Sequence, residues 1–193
     1  MLKKYLFVII VFMQTEKVNI ALGVSGSIAA YKACELTRLF VKGGYEVHVV
    51  MTAAAREFIA PLTFQTLSRN PVCTGLFEPV AEWSPRHVAL SDRCKVLVIA
   101  PCTANVIAKI AHGIADDALT AAALAFAPAN IVVAPAMNVA MYENPATQDN
   151  IALLKKRGVK VMEPGVGDLA CGVTAKGRMP EPVEIYEFVK RLF

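Results

Sequence analysis

Five short apolar runs, each followed by a helical pattern, constrain the fold of this chain more than any other feature. The runs cover residues 18–26, 45–52, 94–101, 130–138 and 159–164. The helical patterns cover residues 27–44, 53–68, 103–126, 147–158 and 181–193, with breaks at Pro61 and near Gly113. Strands that are apolar on both faces and alternate with helices are typical of a parallel sheet between two helical layers. The sequence therefore predicts an α/β fold: a single-domain, three-layer open sheet, mostly parallel and Rossmann/flavodoxin-like.

The composition supports one domain and argues against nucleic acid as a partner. The 193 residues suit a single core, and 55% of them are hydrophobic while only 19% are charged. So apolar a chain indicates a largely buried sheet or an oligomer that covers apolar faces. The net charge of +4 is small, and no cluster of Lys and Arg or ladder of aromatic residues indicates a nucleic-acid surface.

The cysteines indicate a reducing compartment. The five cysteines form no CxxC pair and no metal-ligand spacing with the three histidines, so no metal site is expected. An odd number without a pattern is typical of reduced thiols, and we therefore expect a cytoplasmic protein. Cys34, Cys94 and Cys102 fall in or beside regular elements and are interpreted as small core residues.

The first residues form a distinct apolar segment. "MLKKYLFVIIVFM" combines two lysines with nine apolar residues, as a short signal peptide does, but no A-x-A cleavage site follows. The apolar stretch is too short to span a bilayer. We expect residues 1–16 to be an extension that packs on the protein or on a partner, in preference to an export signal or a membrane segment, and residues 17–193 to be the functional domain.

The loop after the first strand is a candidate phosphate site. In "GVSGSIAA" a strand, a glycine turn and a helix start follow one another, and backbone N–H groups at such a helix start favour an anion. Ser27 adds a hydroxyl next to Gly26. The spacing is neither G-x-G-x-x-G nor a Walker loop, because Ala29 occupies the third position and no G-K-[ST] follows. From these residues alone, a tight turn without ligand is an equal alternative.

Polar side chains also follow the second, third and fourth strands. Thr52, Thr103 and Asn105 stand at helix starts, where they either contact a ligand or simply cap the helix. Asn138 ends the fourth strand within an apolar run, where a buried amide needs partners. Its amide could donate to a carboxylate without bringing a competing charge. The sequence therefore predicts a substrate anchor at Asn138.

A histidine and a cysteine complete the candidate site. His87 follows a proline and opens a predicted helix, where a cap or surface role is the alternative to catalysis. Cys171 lies in the glycine-rich loop "LACGVTAKGRMPEP", close to Lys176 and Arg178. Nearby cations favour a thiolate. The residues by themselves indicate a phosphate-bearing cofactor and name no reaction.

Four stretches together resemble a known family. "GVSGSIAAYK", "APCTANVIAKIAHGIADD", "APAMNVAMYENPATQDN" and "ACGVTAKGRM" occur in this order, with His87 between the first two. The combination is similar to phosphopantothenoylcysteine decarboxylase, the FMN-dependent cysteine-decarboxylating flavoproteins of coenzyme A biosynthesis. The resemblance covers about residues 18–190, nearly all of the chain except the apolar extension.

The resemblance implies a role for each matching position. FMN contacts are implied for Gly26, Ser27, Ile28, Thr52, Thr103, Ala104, Asn105 and Ala136. His87 matches the active-site histidine, Asn138 the asparagine that binds the substrate carboxylate, and Cys171 the proton-donating cysteine on a flap. Further substrate contacts are implied for Met137, Ala170 and Gly172.

The resemblance also implies the reaction, which is decarboxylation of 4'-phosphopantothenoylcysteine to 4'-phosphopantetheine. Oxidation of the substrate thiol to a thioaldehyde provides an electron sink, CO2 leaves, and the enethiolate regains two electrons and a proton. The sequence departs from the family's usual pattern at Val106, where threonine is frequent. Val173 and Ala175 stand where an acidic residue and a glycine are frequent.

The resemblance leaves several alternatives and implies partners. A peptidyl-cysteine oxidative decarboxylase and a flavin prenyltransferase share the fold, some relatives are regulatory subunits, and a nicotinamide-binding Rossmann protein is the generic alternative. Members assemble as homotrimers or as dodecamers of four trimers. In bacterial members the domain is frequently fused to phosphopantothenoylcysteine synthetase, which is therefore a possible partner.

Overall fold

The computed structural model describes residues 17–76, 86–168 and 174–193, with the backbone alone for residues 86–89, 166–168 and 174–175. The expected extension over residues 1–16 lies outside these residues. The main sheet consists of the parallel strands β1 (Asn19–Val24), β2 (Glu46–Met51), β3 (Val96–Cys102), β4 (Ile131–Pro135) and β5 (Lys160–Val161). Two further strands, β6 (Gly165–Asp168) and β7 (Thr174–Arg178), form a separate antiparallel pair.

The strand order is β2-β1-β3-β4-β5, and all the pairs in this sheet are parallel. Leu22 pairs with Val49 of β2 on one side and with Val98 of β3 on the other. The chain direction across the sheet reverses between β1 and β3, and open sheets of this kind bind ligands at such a switch point. The predicted open, mostly parallel α/β sheet is confirmed.

Helices connect the strands. They are α1 (Ala30–Lys42), α2 (Ala53–Arg56), α3 (Pro61–Ser68), α4 (Arg86–Arg93), α5 (Ala104–His112), α6 (Ala118–Ala125), α7 (Val139–Glu143), α8 (Pro145–Lys156) and α9 (Pro182–Lys190). The predicted breaks are present: Pro61 is the first residue of α3, and Gly113 ends α5 with a positive φ of 70°. Among the described helices, none is long and apolar enough to cross a bilayer.

Two apolar clusters lie on opposite faces of the sheet, which makes the fold three-layered. Alternate residues of β1 and β3 separate the faces. Ile20, Leu22 and Val98 belong to the cluster beneath α1 and α9, whereas Leu97 and Ile99 belong to the cluster beneath α5 and α6. These side chains are almost fully buried. Full burial of a Leu, Ile or Val side chain contributes about 1.5–3 kcal/mol, so packing of the helices on the two faces of the sheet contributes strongly to stability.

Several elements differ from the sequence prediction. The β6–β7 hairpin was not predicted, because neither "GVGD" nor "TAKGR" alternates apolar and polar residues. The short helix α7 was not predicted either. The predicted strand over residues 159–164 is reduced to two residues. The predicted helix over residues 27–44 begins only at Ala30, because residues 25–29 form a turn in which Ser27 N–H donates to the Ser25 carbonyl oxygen at 3.0 Å.

Candidate functional site

Four strand–helix junctions at the carboxyl ends of β1 to β4 form what we call the carboxyl edge. Junction 1 is residues 25–29, junction 2 is Thr52, junction 3 is Thr103, and junction 4 is residues 136–138. The sequence-predicted cofactor contacts lie on this edge or in the first turn of the helix that follows it. They are Gly26, Ser27, Ile28, Thr52, Thr103, Ala104, Asn105 and Ala136. Parallel strands bring these junctions to the same side of the sheet, as expected from the fold.

Backbone contacts join junctions 1 and 2. Thr52 N–H donates to the Val24 carbonyl oxygen at 3.1 Å. Gly26 packs so closely against α2 that a Cβ at this position would collide with the Ala54 side chain. The glycine is therefore required by the approach of the two segments and not by an unusual φ. The predicted role of Thr52, which depends on both junctions reaching one ligand, is compatible with this geometry.

A buried hydroxyl joins junctions 1 and 3. Ser25 is fully buried, and its Oγ donates to the Pro101 carbonyl oxygen at 2.8 Å while it accepts from Thr103 N–H at 3.0 Å. The sequence analysis did not identify Ser25, because a serine next to a glycine at the end of a strand indicates only a turn. The pairing spans 78 residues, so no local pattern could have found it.

Junction 4 is attached both to β3 and to the hairpin. Ala136 N–H donates to the Cys102 carbonyl oxygen at 2.9 Å, and Met137 N–H donates to the Gly177 carbonyl oxygen at 2.9 Å. Gly177 has a φ of 140°, and a Cβ there would collide with the Met137 carbonyl oxygen. Strand β7 can therefore lie against junction 4 only with glycine at this position. The carboxyl edge thus continues from Thr52 to the hairpin without interruption.

The helices that leave the carboxyl edge differ in how their first turn is satisfied. Thr52 Oγ1 accepts from Ala55 N–H at 3.2 Å, and Thr103 Oγ1 accepts from Val106 N–H at 3.5 Å. Both threonines are therefore helix caps, which was the alternative left open by the sequence. A cap uses a lone pair of the hydroxyl oxygen, so the hydroxyl hydrogen can still be donated to a ligand.

Helix α1 is different, because no side chain caps its N-terminus at Ala29. The N–H groups of Ala30 and Lys32 donate to the carbonyl oxygens of Ser27 and Ala29 at 2.9 and 3.0 Å, so backbone groups of the turn satisfy part of this first turn. The positive end of the helix dipole lies at junction 1. Ser27 Oγ accepts from Ala29 N–H at 3.2 Å, and Ile28 exposes 61% of its surface at the same turn. The hydroxyl hydrogen of Ser27 and the positive end of the α1 dipole fit a phosphate group at junction 1.

Asn138 is exposed, so the expectation of a buried amide is wrong. Its Oδ1 accepts from Ala140 N–H at 2.8 Å and caps α7, a helix that the sequence analysis did not predict. The apolar neighbours that suggested burial belong to β4 and to the junction itself. Since Oδ1 serves the cap, the donor hydrogens on Nδ2 are the atoms suited to a carboxylate.

For two predicted catalytic residues, His87 and Cys171, the structure does not describe the side chain. His87 is the second residue of α4, which confirms the predicted helix, but its side chain lies outside the described part of the chain. Cys171, Ala170 and Gly172 also lie outside the described residues. They fall between Asp168 and Thr174, the last residue pair of the β6–β7 ladder.

Cys34, Cys94 and Cys102 are free thiols, and burial makes two of them unreactive. Cys94 and Cys102 are buried, as interpreted from the sequence, whereas Cys34 is half-buried. Burial raises the pKa of the Cys94 thiol to about 12 and raises the pKa of Cys102 further. These thiols stay protonated at neutral pH and are no candidates for acid–base or nucleophilic roles. Within the described residues, no group of His, Cys, Asp and Glu side chains is arranged to hold a metal ion.

Comparison with known proteins adds family and relatives to this geometry. A family model described as Flavoprotein matches residues 11–193. The "Coenzyme A biosynthesis bifunctional protein CoaBC" of Vibrio vulnificus (strain YJ016) is 47% identical over 175 residues, which are 91% of this chain and 43% of that protein. The chain therefore spans less than half the length of this relative.

A shorter relative matches over nearly its whole length. The Streptococcus mutans protein named "Probable phosphopantothenoylcysteine decarboxylase" is 48% identical over 165 residues, which are 84% of this chain and 92% of that protein. Among solved structures, a PPC decarboxylase mutant complexed with pantothenoylaminoethenethiol has a TM-score of 0.81 and 31% identity, covering 92% of this chain and 98% of that one. "The FMN binding protein AtHal3" has a TM-score of 0.78 and 32% identity, covering 92% and 97%.

Proposed function

The chain belongs to the flavoprotein family, and from this premise we propose that it decarboxylates 4'-phosphopantothenoylcysteine to 4'-phosphopantetheine with FMN as cofactor. The observation that carries the proposal is the continuous carboxyl edge from Thr52 to Gly177, which joins the candidate phosphate turn at Gly26 and Ser27 to the loop that contains Asn138. The likeness to a decarboxylase of similar length supports the same reaction.

The residues of the carboxyl edge fit FMN. The uncapped start of α1 with Gly26 and Ser27 would hold the phosphate, because backbone N–H groups and a helix dipole favour a dianion. Thr52, Thr103 and Asn105 would donate hydrogen bonds to the polar atoms of the cofactor. When bound, a flavin supplies a two-electron oxidation of the substrate thiol and returns the electron pair after CO2 has left.

Asn138 would orient the substrate. Its Nδ2 would donate to the carboxylate, while the cap to Ala140 fixes the side chain through Oδ1. A neutral amide holds the carboxylate without stabilising it by a full charge, so the carboxylate can leave as CO2. The contact between Met137 and Gly177 would hold the backbone of this loop in place.

His87 and Cys171 would handle protons. We assign to Cys171 the delivery of a proton to the product carbon, and to His87 the orientation of the substrate or a proton transfer at its imidazole nitrogen. The nearby cations Lys176 and Arg178 favour anionic groups in the same region. Both assignments rest on the family resemblance.

The mass of the product tests the proposal. Purified FMN-loaded protein is mixed with phosphopantothenoylcysteine, and the mass of the product is measured by mass spectrometry. Loss of CO2 alone establishes the decarboxylase of coenzyme A biosynthesis. Loss of CO2 plus two hydrogens assigns the protein to the peptidyl-cysteine branch, and no reaction overturns the enzymatic proposal in favour of a binding or regulatory role.

Cys171→Ser tests the proton delivery separately. The variant should still release CO2 but should accumulate the oxidised product, because the thiol that delivers the proton is missing. Formation of the fully reduced product at the wild-type rate would contradict the role of Cys171.

We propose further that the protein assembles as a homotrimer or dodecamer in the cytoplasm, and that a phosphopantothenoylcysteine synthetase supplies its substrate. Exposed apolar side chains next to the carboxyl edge, such as Ile28 and Tyr31, support assembly. The free state of the described cysteines supports a reducing compartment. The fused bifunctional relative supports the link to a synthetase.

A further inference from the structure

A nearly buried lysine on α1 forms a close ion pair with a residue near the C-terminal end of the chain. Lys32 is only 7% exposed, and its Nζ donates to Glu181 Oε1 at 2.6 Å. The two residues are 149 positions apart in sequence. Lysine is almost never buried without a partner, so this pairing is required wherever the ammonium group stays inside.

Glu181 is itself held in place from several sides. It is the N-cap of α9, where its side chain accepts from the backbone N–H of Glu184. In return, Glu184 Oε2 accepts from Glu181 N–H at 2.8 Å. Arg178 Nη2 lies 3.8 Å from the same Oε1 that binds Lys32. The carboxylate position is therefore fixed by one helix, one lysine and one residue of the hairpin.

The link from Glu181 to junction 4 (residues 136–138), which we call the substrate loop, is short. Met179 and Pro180, which connect Arg178 to Glu181, are both buried, so this segment cannot shift independently of the core. Gly177 immediately precedes Arg178, and its carbonyl oxygen accepts from Met137 N–H at 2.9 Å. Lys32 thus lies at one end of a chain of contacts that ends beside Asn138.

Stability alone does not explain the ion pair. Glu181 keeps 56% of its side chain exposed, so only the lysine side of the pair is buried and the pair adds little net stability. An apolar side chain would fill the space of Lys32 without the cost of desolvating an ammonium group, so stability alone gives little reason for a lysine here. We propose that Lys32 is a positioning residue for the substrate loop. Through Glu181 it fixes strand β7, and β7 holds Met137 and Asn138 at a set distance from the cofactor-binding start of α1. This inference rests on the proposed function.

The test compares Lys32→Met with Lys42→Met, a matched change of an exposed lysine on the same helix. Flavin content, thermal unfolding, kcat and KM are measured for both variants and for the wild type. Amide hydrogen exchange at Met137 is measured relative to Leu22 in the centre of the sheet. Lys32→Met should keep its flavin and its cooperative unfolding, since methionine fills the buried space of the lysine stem.

The expected result is local and kinetic. In Lys32→Met, kcat should fall about tenfold or more with a smaller change in KM, because a shift of the substrate loop misaligns the carboxylate. Exchange at Met137 should rise about tenfold relative to Leu22, whereas Lys42→Met should match the wild type. Wild-type kcat and wild-type exchange in Lys32→Met would overturn the inference. Loss of flavin in proportion to activity would also overturn it, because Lys32 would then support the cofactor.

A second pair of variants keeps the test decisive if Lys32→Met fails to fold. Glu181→Gln removes the charge but keeps an acceptor for the cap, and Glu184→Gln makes the same change at the other side of the cap. Only Glu181→Gln should alter kcat and the exchange at Met137. If the wild type itself gives no decarboxylated product, the proposed function fails, and the exchange measurement alone decides whether Lys32 positions the loop.

Discussion

The hydroxyl of Ser25 is the smallest feature on which the carboxyl edge depends. It is fully buried, donates to Pro101 and accepts from Thr103, so it connects the ends of β1 and β3. A methyl group cannot replace either contact. Loss of the hydroxyl would leave the partly buried N–H group of Thr103 without its acceptor, which costs free energy.

Ser25→Ala should therefore lower both stability and cofactor affinity. The free energy of unfolding without FMN should fall by about 1–3 kcal/mol, and the Kd for FMN should rise because junctions 1 and 3 are no longer held together. Urea unfolding and flavin fluorescence titration measure the two effects.

Ser27→Ala is the matched control, because Ser27 is half-buried and its hydroxyl accepts a local bond from Ala29 N–H instead of joining two strand ends. It should leave the unfolding free energy within about 0.5 kcal/mol of the wild type while still weakening FMN binding. Equal stabilities of the two variants would contradict the structural role of Ser25.

The partly buried His48 should make the stability of the fold depend on pH. Burial lowers the pKa of His48 below its ordinary value of 6.5, Glu46 opposes the shift, and Arg93 adds to it. A histidine whose pKa is lower in the folded state binds its proton preferentially when the protein is unfolded. Above the unfolded-state pKa the histidine is neutral in both states and does not affect stability. Below that pKa, protonation of the unfolded state lowers the free energy of unfolding. Stability should therefore decrease between about pH 7 and pH 5, and His48→Gln should reduce this decrease. Urea midpoints at both pH values measure it, and an unchanged slope in the variant would assign the decrease to other groups.

Sequence patterns located candidate positions on the carboxyl edge but not the contacts that hold them. Thr52, Thr103 and Asn138 were identified because polar side chains at strand ends are conspicuous in an apolar chain. Their roles as helix caps follow from local geometry. Ser25 and Lys32 were missed because their partners lie 78 and 149 residues away, and such pairings exist only once the fold is formed.

Among the elements, strand β7 depends most strongly on one residue. Gly177 has a φ of 140° and lies against the Met137 carbonyl oxygen, so a side chain there is opposed by both backbone strain and collision. Gly177→Ala should displace β7 from junction 4 and lower kcat more than it lowers global stability. Activity, unfolding free energy and exchange at Met137 measure the difference.

Gly113→Ala provides the comparison, because Gly113 also has a positive φ, 70°, but a Cβ there would meet nothing within 4 Å. It should lower stability by about 1 kcal/mol through strain alone and leave kcat unchanged. If both alanine variants retain full activity, the contact between β7 and Met137 does not serve the site.

The predictable elements are those whose burial leaves a pattern. Strands β1 to β4 are buried on both faces and therefore stand out as apolar runs. The β6–β7 hairpin packs against a loop instead of the sheet, so "GVGD" and "TAKGR" carry no periodic signal. Helix α7 has no buried residue, which explains why its sequence looked like a continuation of the loop.

At the scale of the whole molecule, apolar side chains accumulate beside the carboxyl edge. Ile28 and Tyr31 project from junction 1 and α1, while Phe58 and Leu62 project from the segment after α2, and each exposes between 47% and 68% of its surface. Because Gly26 touches Ala54, the two segments adjoin. If the protein assembles as proposed, this exposed apolar surface beside the carboxyl edge is the one that we expect another copy to cover.

Leu62→Lys should therefore shift the assembly toward smaller species. Leucine at this position is 68% exposed in the single chain, so a lysine costs little there but would be buried unpaired between copies. Leu124→Lys is the control, since Leu124 is 53% exposed on α6 and is not part of this surface. Sedimentation velocity should give a trimer or larger assembly for the wild type and Leu124→Lys, and a smaller mass for Leu62→Lys. A wild-type monomer at all concentrations would show that the expected assembly is wrong. An unchanged assembly in Leu62→Lys would show that the copies meet through a different surface.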